Sequence, residues 1–344
     1  MSAPPSTRAP RRSRLSLLDG DSVDRPALAA ALMVFALMLL GLQDAIVKLT
    51  SSAVSLWQFQ LVRSAINLAL VLALARVLWG EARPRAKRWW AVILRSLFLV
   101  ATMVMFFGGV PFLSLAEIAA GLYTYPLYIA IFSAVLLREK VGPRRIAAIL
   151  AGFIGTVMIL KPGGVDFSPV SLMPVGAALG YAGTVLTTRN LCREESPVAL
   201  AFGVAITFLT VGIIGTALLS LPAVIQLLGS WPTDWPYLAT GWRPLTLVVF
   251  ALIVACSLLN LTANISLAKS YQSAESSWLA PFDYSYLIFA TFWGFVFSGT
   301  IPDQWTFAGM ALIAGAGIFV AWRERAARRQ TARGALTTGV GPRK

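Results

Sequence analysis

The sequence contains no histidine, only two cysteines and few charged side chains for its length. Each shortage excludes something. Histidine is the commonest acid or base near neutral pH and the commonest metal ligand, so chemistry built on it is ruled out. Cys192 and Cys256 are far apart, and their spacing fits neither a metal site nor a disulfide framework. No Gly-Lys dipeptide occurs, so the Walker phosphate loop is missing and ATP drive has no support. Charged residues make up 13% of the chain, whereas soluble domains carry about 25%. Such a chain cannot face water on all sides. Lipid must be its main solvent, and neither a metal nor a cofactor is implied.

What is present is apolar: 57% of the 344 residues, with a mean hydropathy of +0.73. Roughly twenty mainly apolar residues span the hydrocarbon of a bilayer. Ten segments qualify, at 27–49, 55–77, 89–110, 115–137, 145–161, 169–190, 197–221, 244–268, 274–297 and 303–322. Helices are expected, because lipid offers backbone polar groups no partner. Residues 1–26, rich in Arg, Asp and Pro, read as a disordered cytoplasmic tail rather than a signal peptide.

The net charge of +14 does not signal nucleic acid, because the basic residues cluster in short segments between apolar runs. Counting the tails and alternate connections, 24 of the 29 Lys and Arg fall on one side of the membrane. The positive-inside rule then places both termini in the cytoplasm of an inner-membrane protein. Lipid and a small-molecule substrate are the expected partners. Oligomeric state is not fixed, and a monomer is compatible.

The stretch from Pro126, "PLYIAIFSAVLLREKVGPRRIAAILAGFIGTVMIL", parallels "SYLIFATFWGFVFSGTIPDQWTFAGMALIAGAGIFV" from Ser285. Each joins a long span, a short polar turn and a small-residue-rich final span. The expected fold is therefore all-α and integral to the membrane, with ten transmembrane helices as two inverted five-helix repeats, an arrangement typical of secondary transporters. Residues 27–163 form the first repeat, 164–325 the second, and 326–344 a basic tail. The connection from Pro222 to Arg243 carries Trp231, Trp235 and Trp242; it either covers an entrance or lies passively at the interface.

Arg95–Gly163, Leu40–Leu49 ("LGLQDAIVKL") with Arg63 beyond it, and the closing "APFDYSYLIFATFWGFVFSGTIPDQWTFAGMALIAGAGIFVAWRER" together resemble the EamA-type branch of the drug/metabolite transporter superfamily. The resemblance implies ten helices around a central cavity lined by helices 1–4 and 6–9. Two positions depart from the family pattern. Pro281-Phe282-Asp283-Tyr284 stands where relatives often have Pro-Phe-Arg-Tyr, and Gly299-Thr300 where they have Gly-Glu. The first half keeps Glu139, read as an anchor of a cytoplasmic turn.

Ionisable groups inside a membrane are costly and usually face protein or a water-filled cavity. Asp44, Lys48, Arg63, Arg95, Glu117, Glu275 and Asp283 fall within the expected spans. Arg63 and Asp283 lie near mid-bilayer. Asp283, beside the helix-breaking Pro281, either binds a cationic substrate or exchanges a proton, or, as a neutral or Arg63-paired carboxyl, holds helices together. Asp44 and Lys48, four residues apart on one helical face, form either a structural ion pair or a gate or ligand contact whose partner changes between states. Arg63 either touches substrate or bridges helices; Arg95 snorkels towards the interface. Glu117 sits near a membrane surface.

Tyr123, Tyr125 and Tyr128 on one helix, and Trp278, Phe282, Tyr284 and Tyr286 on another, can stack on a planar ligand or simply pack. Asn260 and Asn264 share a helical face, placed for interhelical bonding or ligand contact. Gly152 with Gly155, and Gly176, Gly180 and Gly183, read as close-packing faces. The functional reading is a secondary transporter of a zwitterionic or amphiphilic metabolite, amino-acid-like or nucleoside- or cofactor-like, possible proton coupling included. The alternatives are a membrane enzyme acting on a lipid-phase substrate, disfavoured by the missing histidine, and a non-transporting assembly protein, disfavoured by Arg63 and Asp283.

Overall fold

A computed structural model describes residues 26–79, 86–136, 143–161, 168–195, 197–274 and 276–337. Most of the expected N-terminal tail, Glu139 with its turn, Glu275, most of the connection after Lys161 and the last seven residues lie outside the described residues.

Every described element is helical, as a chain dissolved in lipid requires. In order they are α1 (Pro26–Thr50), α2 (Leu56–Trp79), α3 (Trp89–Gly109), α4 (Leu115–Leu122), α5 (Tyr125–Leu136) and α6 (Pro143–Leu160). A 3-10 turn at Pro169–Leu172 leads into α7 (Met173–Asn190), followed by α8 (Pro197–Leu218). The connection expected at 222–243 contains three short helices, α9 (Pro222–Leu228), α10 (Trp231–Asp234) and α11 (Pro236–Ala239). The chain closes with α12 (Leu247–Ser273), α13 (Ser276–Asp283), α14 (Ser285–Ser298) and α15 (Gln304–Thr337).

The expectation of ten transmembrane helices is corrected here. Among the described residues, seven helical runs are long and apolar enough to cross a membrane: Pro26–Thr50, Leu56–Ala73, Trp89–Gly109, Leu115–Phe132, Pro169–Asn190, Ala199–Leu218 and Leu247–Ser273. The remaining three expected spans fall short for identifiable reasons. The segment at 274–297 is divided into α13 and α14, of 8 and 14 residues, at the break that follows Pro281. The apolar parts of α6 and α15, Ile149–Leu160 and Gln304–Phe319, fall in the 10–17-residue range. Arg144 and Arg145 occupy the start of α6, and Arg323 to Arg329 the second half of α15. With seven crossing helices, the division into two inverted sets of five is not sustained. The placement of both termini in the cytoplasm, which rested on a charge count across ten spans, goes with it. α15 also runs on to Thr337, through much of the segment expected as a tail.

Local chemistry fixes several boundaries. Ser114 and Glu117 form a reciprocal capping box at the start of α4: the serine hydroxyl accepts from the Glu117 amide (3.2 Å), and Glu117 accepts from the Ser114 amide (2.8 Å). Thr246 caps α12 through the Val249 amide. Gly299 ends α14 in the left-handed region (φ 64), which glycine adopts without steric cost.

Helices before residue 162 pack chiefly on helices after 167: α1 on α12 and α14, α2 on α8, α3 on α7 and α8, α6 on α15, and α4 on α7 and α14. At the α6–α15 crossing, Gly155 and Gly309 bring the backbones together; a Cβ on Gly155 would lie 2.8 Å from the Gly309 carbonyl oxygen. The core gathers around α1, α3, α4 and α14, with Met33, Val47, Phe59, Ile118, Leu279 and Leu287 buried. Outside it, Leu247, Val248, Phe292, Trp90 and many others present bare apolar surface, as a lipid-facing wall should.

Candidate functional site

Two breaks in helical geometry face each other and build the centre of the molecule. One separates α4 from α5 at Tyr123-Thr124; the other separates α13 from α14 at Tyr284. Proline prevents a continuous hydrogen-bond ladder at both, Pro126 in α5 and Pro281 in α13. Freed polar groups inside a membrane protein must find other partners. Thr124 donates its hydroxyl to the Gly121 carbonyl (2.7 Å), and the Tyr123 hydroxyl reaches across to the Asp283 carbonyl (2.9 Å).

The side chain of Asp283 accepts from the Tyr125 hydroxyl at 3.1 Å. Tyr181 of α7 meets Tyr125 edge-on, with ring centroids 4.8 Å apart, and Tyr271 of α12 lies within electrostatic range of the same carboxyl. On the other side, Tyr123 packs against Tyr284 at 5.3 Å and stacks on Tyr286 at 5.5 Å, 15° from parallel. Tyr286 then donates to the buried Asp44 carboxyl of α1 at 2.5 Å. Asp44 also accepts from the neighbouring Gln43 amide at 3.1 Å. The result is a continuous run from Asp283 through Tyr125, Tyr123 and Tyr286 to Asp44. Tyr284 fits against α15 because position 317 is glycine: a Cβ there would lie 1.4 Å from the Tyr284 hydroxyl oxygen.

Arg63 lies next to this run. It is 9% exposed, and its guanidinium carbon sits 5.8 Å from the ring centroids of both Phe59 and Phe107. Asp44 is within electrostatic range, yet no ion pair joins Arg63 to Asp44 or to Asp283 among the described residues. The pairing of Asp283 with Arg63, one of the expectations for that carboxyl, is therefore not the arrangement found. The Asp44–Lys48 pair is not formed either. Lys48 donates to the Leu113 carbonyl at 2.5 Å and feels the charge of Glu117, while Asp44 is held by Tyr286 and Gln43.

The other expected site residues are more dispersed. Glu117 serves the α4 cap and also accepts from the Ser114 hydroxyl at 2.8 Å. Trp278 packs on Phe282, with centroids 5.0 Å apart. Asn264 donates to the Asn260 carbonyl at 2.8 Å along α12. Arg95 donates to the Thr188 hydroxyl at 2.7 Å, bridging α3 and α7. Of the ten candidates, Asp44, Asp283, Tyr125 and Tyr284 converge on the tyrosine run, with Arg63 beside Asp44.

Sequence reasoning passed over Gln43, Tyr181, Tyr271 and Tyr237. A lone tyrosine among Gly176, Gly180 and Gly183 was a readable signal for Tyr181, since small neighbours let a ring reach an adjoining helix. Nothing local marks Tyr237, which arrives from the 222–243 connection. That connection is pinned to the start of α2: Trp57 donates to the Leu238 carbonyl (2.7 Å) and Ser55 to the Gly241 carbonyl (2.7 Å). Gln58 exchanges two bonds with the Arg243 backbone (2.8 and 3.0 Å).

Residues 27–161 match the model of the EamA-like transporter family. Over that first part the chain is similar to EamA-type membrane transporters. It is 29% identical over 272 residues to a riboflavin transporter of Vibrio cholerae, covering 78% of this chain and 84% of that protein. An S-adenosylmethionine uptake transporter of Rickettsia bellii is 25% identical, over 75% of this chain and 81% of its own. The pseudopaline exporter CntI of Pseudomonas aeruginosa is also 25% identical, over 83% and 93%. One solved crystal structure shares the fold, with a TM-score of 0.55 at 20% identity, covering 86% of this chain and 98% of that one. The protein is thus a multi-pass bacterial inner-membrane secondary transporter of a small organic metabolite, not an enzyme.

Proposed function

We propose that the transported metabolite is zwitterionic or amphiphilic, amino-acid-like or nucleoside- or cofactor-like, and that it moves by alternating access with Asp44 and Asp283 exchanging a proton or a cation. The observation that carries this reading is the tyrosine run between the two carboxyls. It ties α1, α4, α5 and the α13–α14 break into one hydrogen-bonded and stacked unit. Charge placed on or removed from either carboxyl alters the bonds that hold those helices together, which is what coupling a cargo or proton to a rearrangement requires.

Tyr125, Tyr284 and Trp278 supply aromatic faces for a planar or cationic group, Arg63 a fixed positive charge, and Asn260 and Asn264 further polar contacts. Lys48, bonded to the Leu113 carbonyl, and Glu117, bonded to the Ser114 amide, are assigned to a gate at one end of the pathway. Relatives named as riboflavin and S-adenosylmethionine transporters support a cargo that combines a flat ring system with polar groups. The test is uptake of riboflavin and of S-adenosylmethionine into proteoliposomes at two pH values, parent beside Asp283→Asn and Asp44→Asn. Flux of at least one solute that depends on both carboxyls supports the reading. Parent-like flux with parent-like pH dependence in both variants defeats it.

A further inference from the structure

Among the described residues, the buried polar atoms without a hydrogen-bond partner include Nε and Nη1 of Arg63, the Tyr237 hydroxyl, Oε1 of Gln43 and Oε1 of Gln60. A buried cation without partners is among the most destabilising arrangements a fold can hold. Most buried guanidinium groups are bonded by carboxylates or carbonyls, yet here Asp44 is occupied by Tyr286 and Gln43. Tyr237, 2% exposed, sits on α11, which packs on α2, the helix that carries Arg63, and is fastened there by the bonds from Trp57 and Ser55. Phe59 and Phe107 flank the guanidinium and keep water from it. Two unused N–H groups on a fixed positive charge, with an unused O–H nearby and apolar walls around them, have the chemistry of an oxyanion receptor.

We propose that Arg63 and Tyr237 form the subsite that receives an oxyanion of the transported molecule, a carboxylate or a phosphate. Tyr237 belongs to the 222–243 connection and Arg63 to α2, so an oxyanion held between them ties that connection to the transmembrane bundle. Opening the connection and releasing the anionic end of the cargo become one event. The assignment rests on the proposed cargo reading and narrows it, because a cargo without an oxyanion leaves both groups unused.

The test uses two pairs of solutes that differ by one oxyanion: riboflavin with riboflavin 5′-phosphate, and S-adenosylmethionine with its decarboxylated form. Uptake into proteoliposomes is measured for parent, Arg63→Gln and Tyr237→Phe, and read as the ratio of oxyanion-bearing to oxyanion-free solute within each pair. The expected parent ratio favours the oxyanion in at least one pair. It falls about tenfold or more in Arg63→Gln, as loss of hydrogen bonds from a charged donor implies, and by a smaller factor in Tyr237→Phe. The pair that responds separates carboxylate from phosphate. Tyr237→Phe removes one oxygen without changing shape, so it decides the matter if Arg63→Gln fails to fold. A parent ratio near one, or a ratio unchanged in the folded variants, overturns the assignment while leaving the cargo reading in place. Absence of parent flux for all four solutes defeats the cargo reading, and the assignment with it.

Discussion

Tyr286 donates its hydroxyl to the carboxyl of Asp44, 242 positions earlier in the chain, at 2.5 Å inside the membrane-embedded core. The same phenol ring stacks on Tyr123, whose own hydroxyl holds the main chain of Asp283. One tyrosine therefore lies between buried Asp44 and half-buried Asp283, and is bonded to the first while stacked against the group that holds the second.

Replacing Tyr286 with Phe keeps the stack on Tyr123 and removes the bond to Asp44. A buried acceptor left without its donor costs about 1–3 kcal/mol. Tyr286→Phe is expected to lower the thermal unfolding temperature in detergent, and Asp44→Asn to change the size of that effect. Additive losses in the double variant would show that the two side chains do not act on each other.

Gly317 makes room for Tyr284. A methyl at 317 would overlap the tyrosine hydroxyl and the ring carbon behind it, 1.4 and 2.2 Å away, so one helix must shift. Forcing extra atoms into a filled core costs about 1–3 kcal/mol. Gly317→Ala is expected to unfold earlier than parent, and Tyr284→Val in the same chain to recover part of the loss. An unchanged melting profile for Gly317→Ala would contradict this packing.

Lys161 and Asp303 form an ion pair that fastens the end of α6 to the start of α15, and Asp303 also accepts from the Thr306 amide at 3.0 Å. The bond from Lys161, then the Thr306 contact, hold the Asp303 carboxyl down at about 2, below the ordinary value of 3.8. A depressed folded value means that the pair stabilises the fold above the unfolded value and loses that contribution as pH falls towards 2. Both side chains are 42% exposed, so the effect is small. The gap in melting temperature between parent and Asp303→Asn should be widest at mildly acidic pH and above, and shrink as pH is lowered through this window. A gap that widens with acid would reverse the sign of the argument.

The kind of molecule was legible from composition, because a chain so poor in charge can only be solvated by lipid. Asp44, Arg63 and Asp283 also stood out, since a charge within an apolar run needs a reason. Their partners were not legible. Helical spacing places Lys48 on the same face as Asp44, yet Lys48 turns to Leu113 and Asp44 to Tyr286. A contact across 242 residues leaves no trace in a local period. The helix count failed for a related reason. A hydropathy window averages over the break after Pro281, and it cannot see that the apolar parts of α6 and α15 are shorter than a full crossing. Tyr237 was invisible because a connection rich in Trp and Pro reads as surface, and the long-range bonds to Trp57, Ser55 and Gln58 that fold it inward leave no local mark.

Two tyrosines two positions apart hold different parts of Asp283, and this separates a titrating role from a packing role. Tyr125 bonds the carboxyl at 3.1 Å, whereas Tyr123 bonds the main-chain carbonyl at 2.9 Å. A donor to a carboxyl acts unequally on its charged and neutral forms; a donor to a carbonyl has no such preference. If Asp283 exchanges a proton during transport, Tyr125→Phe must move the pH profile of flux, and Tyr123→Phe, whose hydroxyl is bonded to the main chain, must move it less. Both substitutions remove one hydroxyl from a ring packed at the same helix break, so a general loss of packing would affect both. Matching pH profiles in parent and Tyr125→Phe would leave Asp283 a structural acid at the helix break, and would move the search for the coupling group to Asp44.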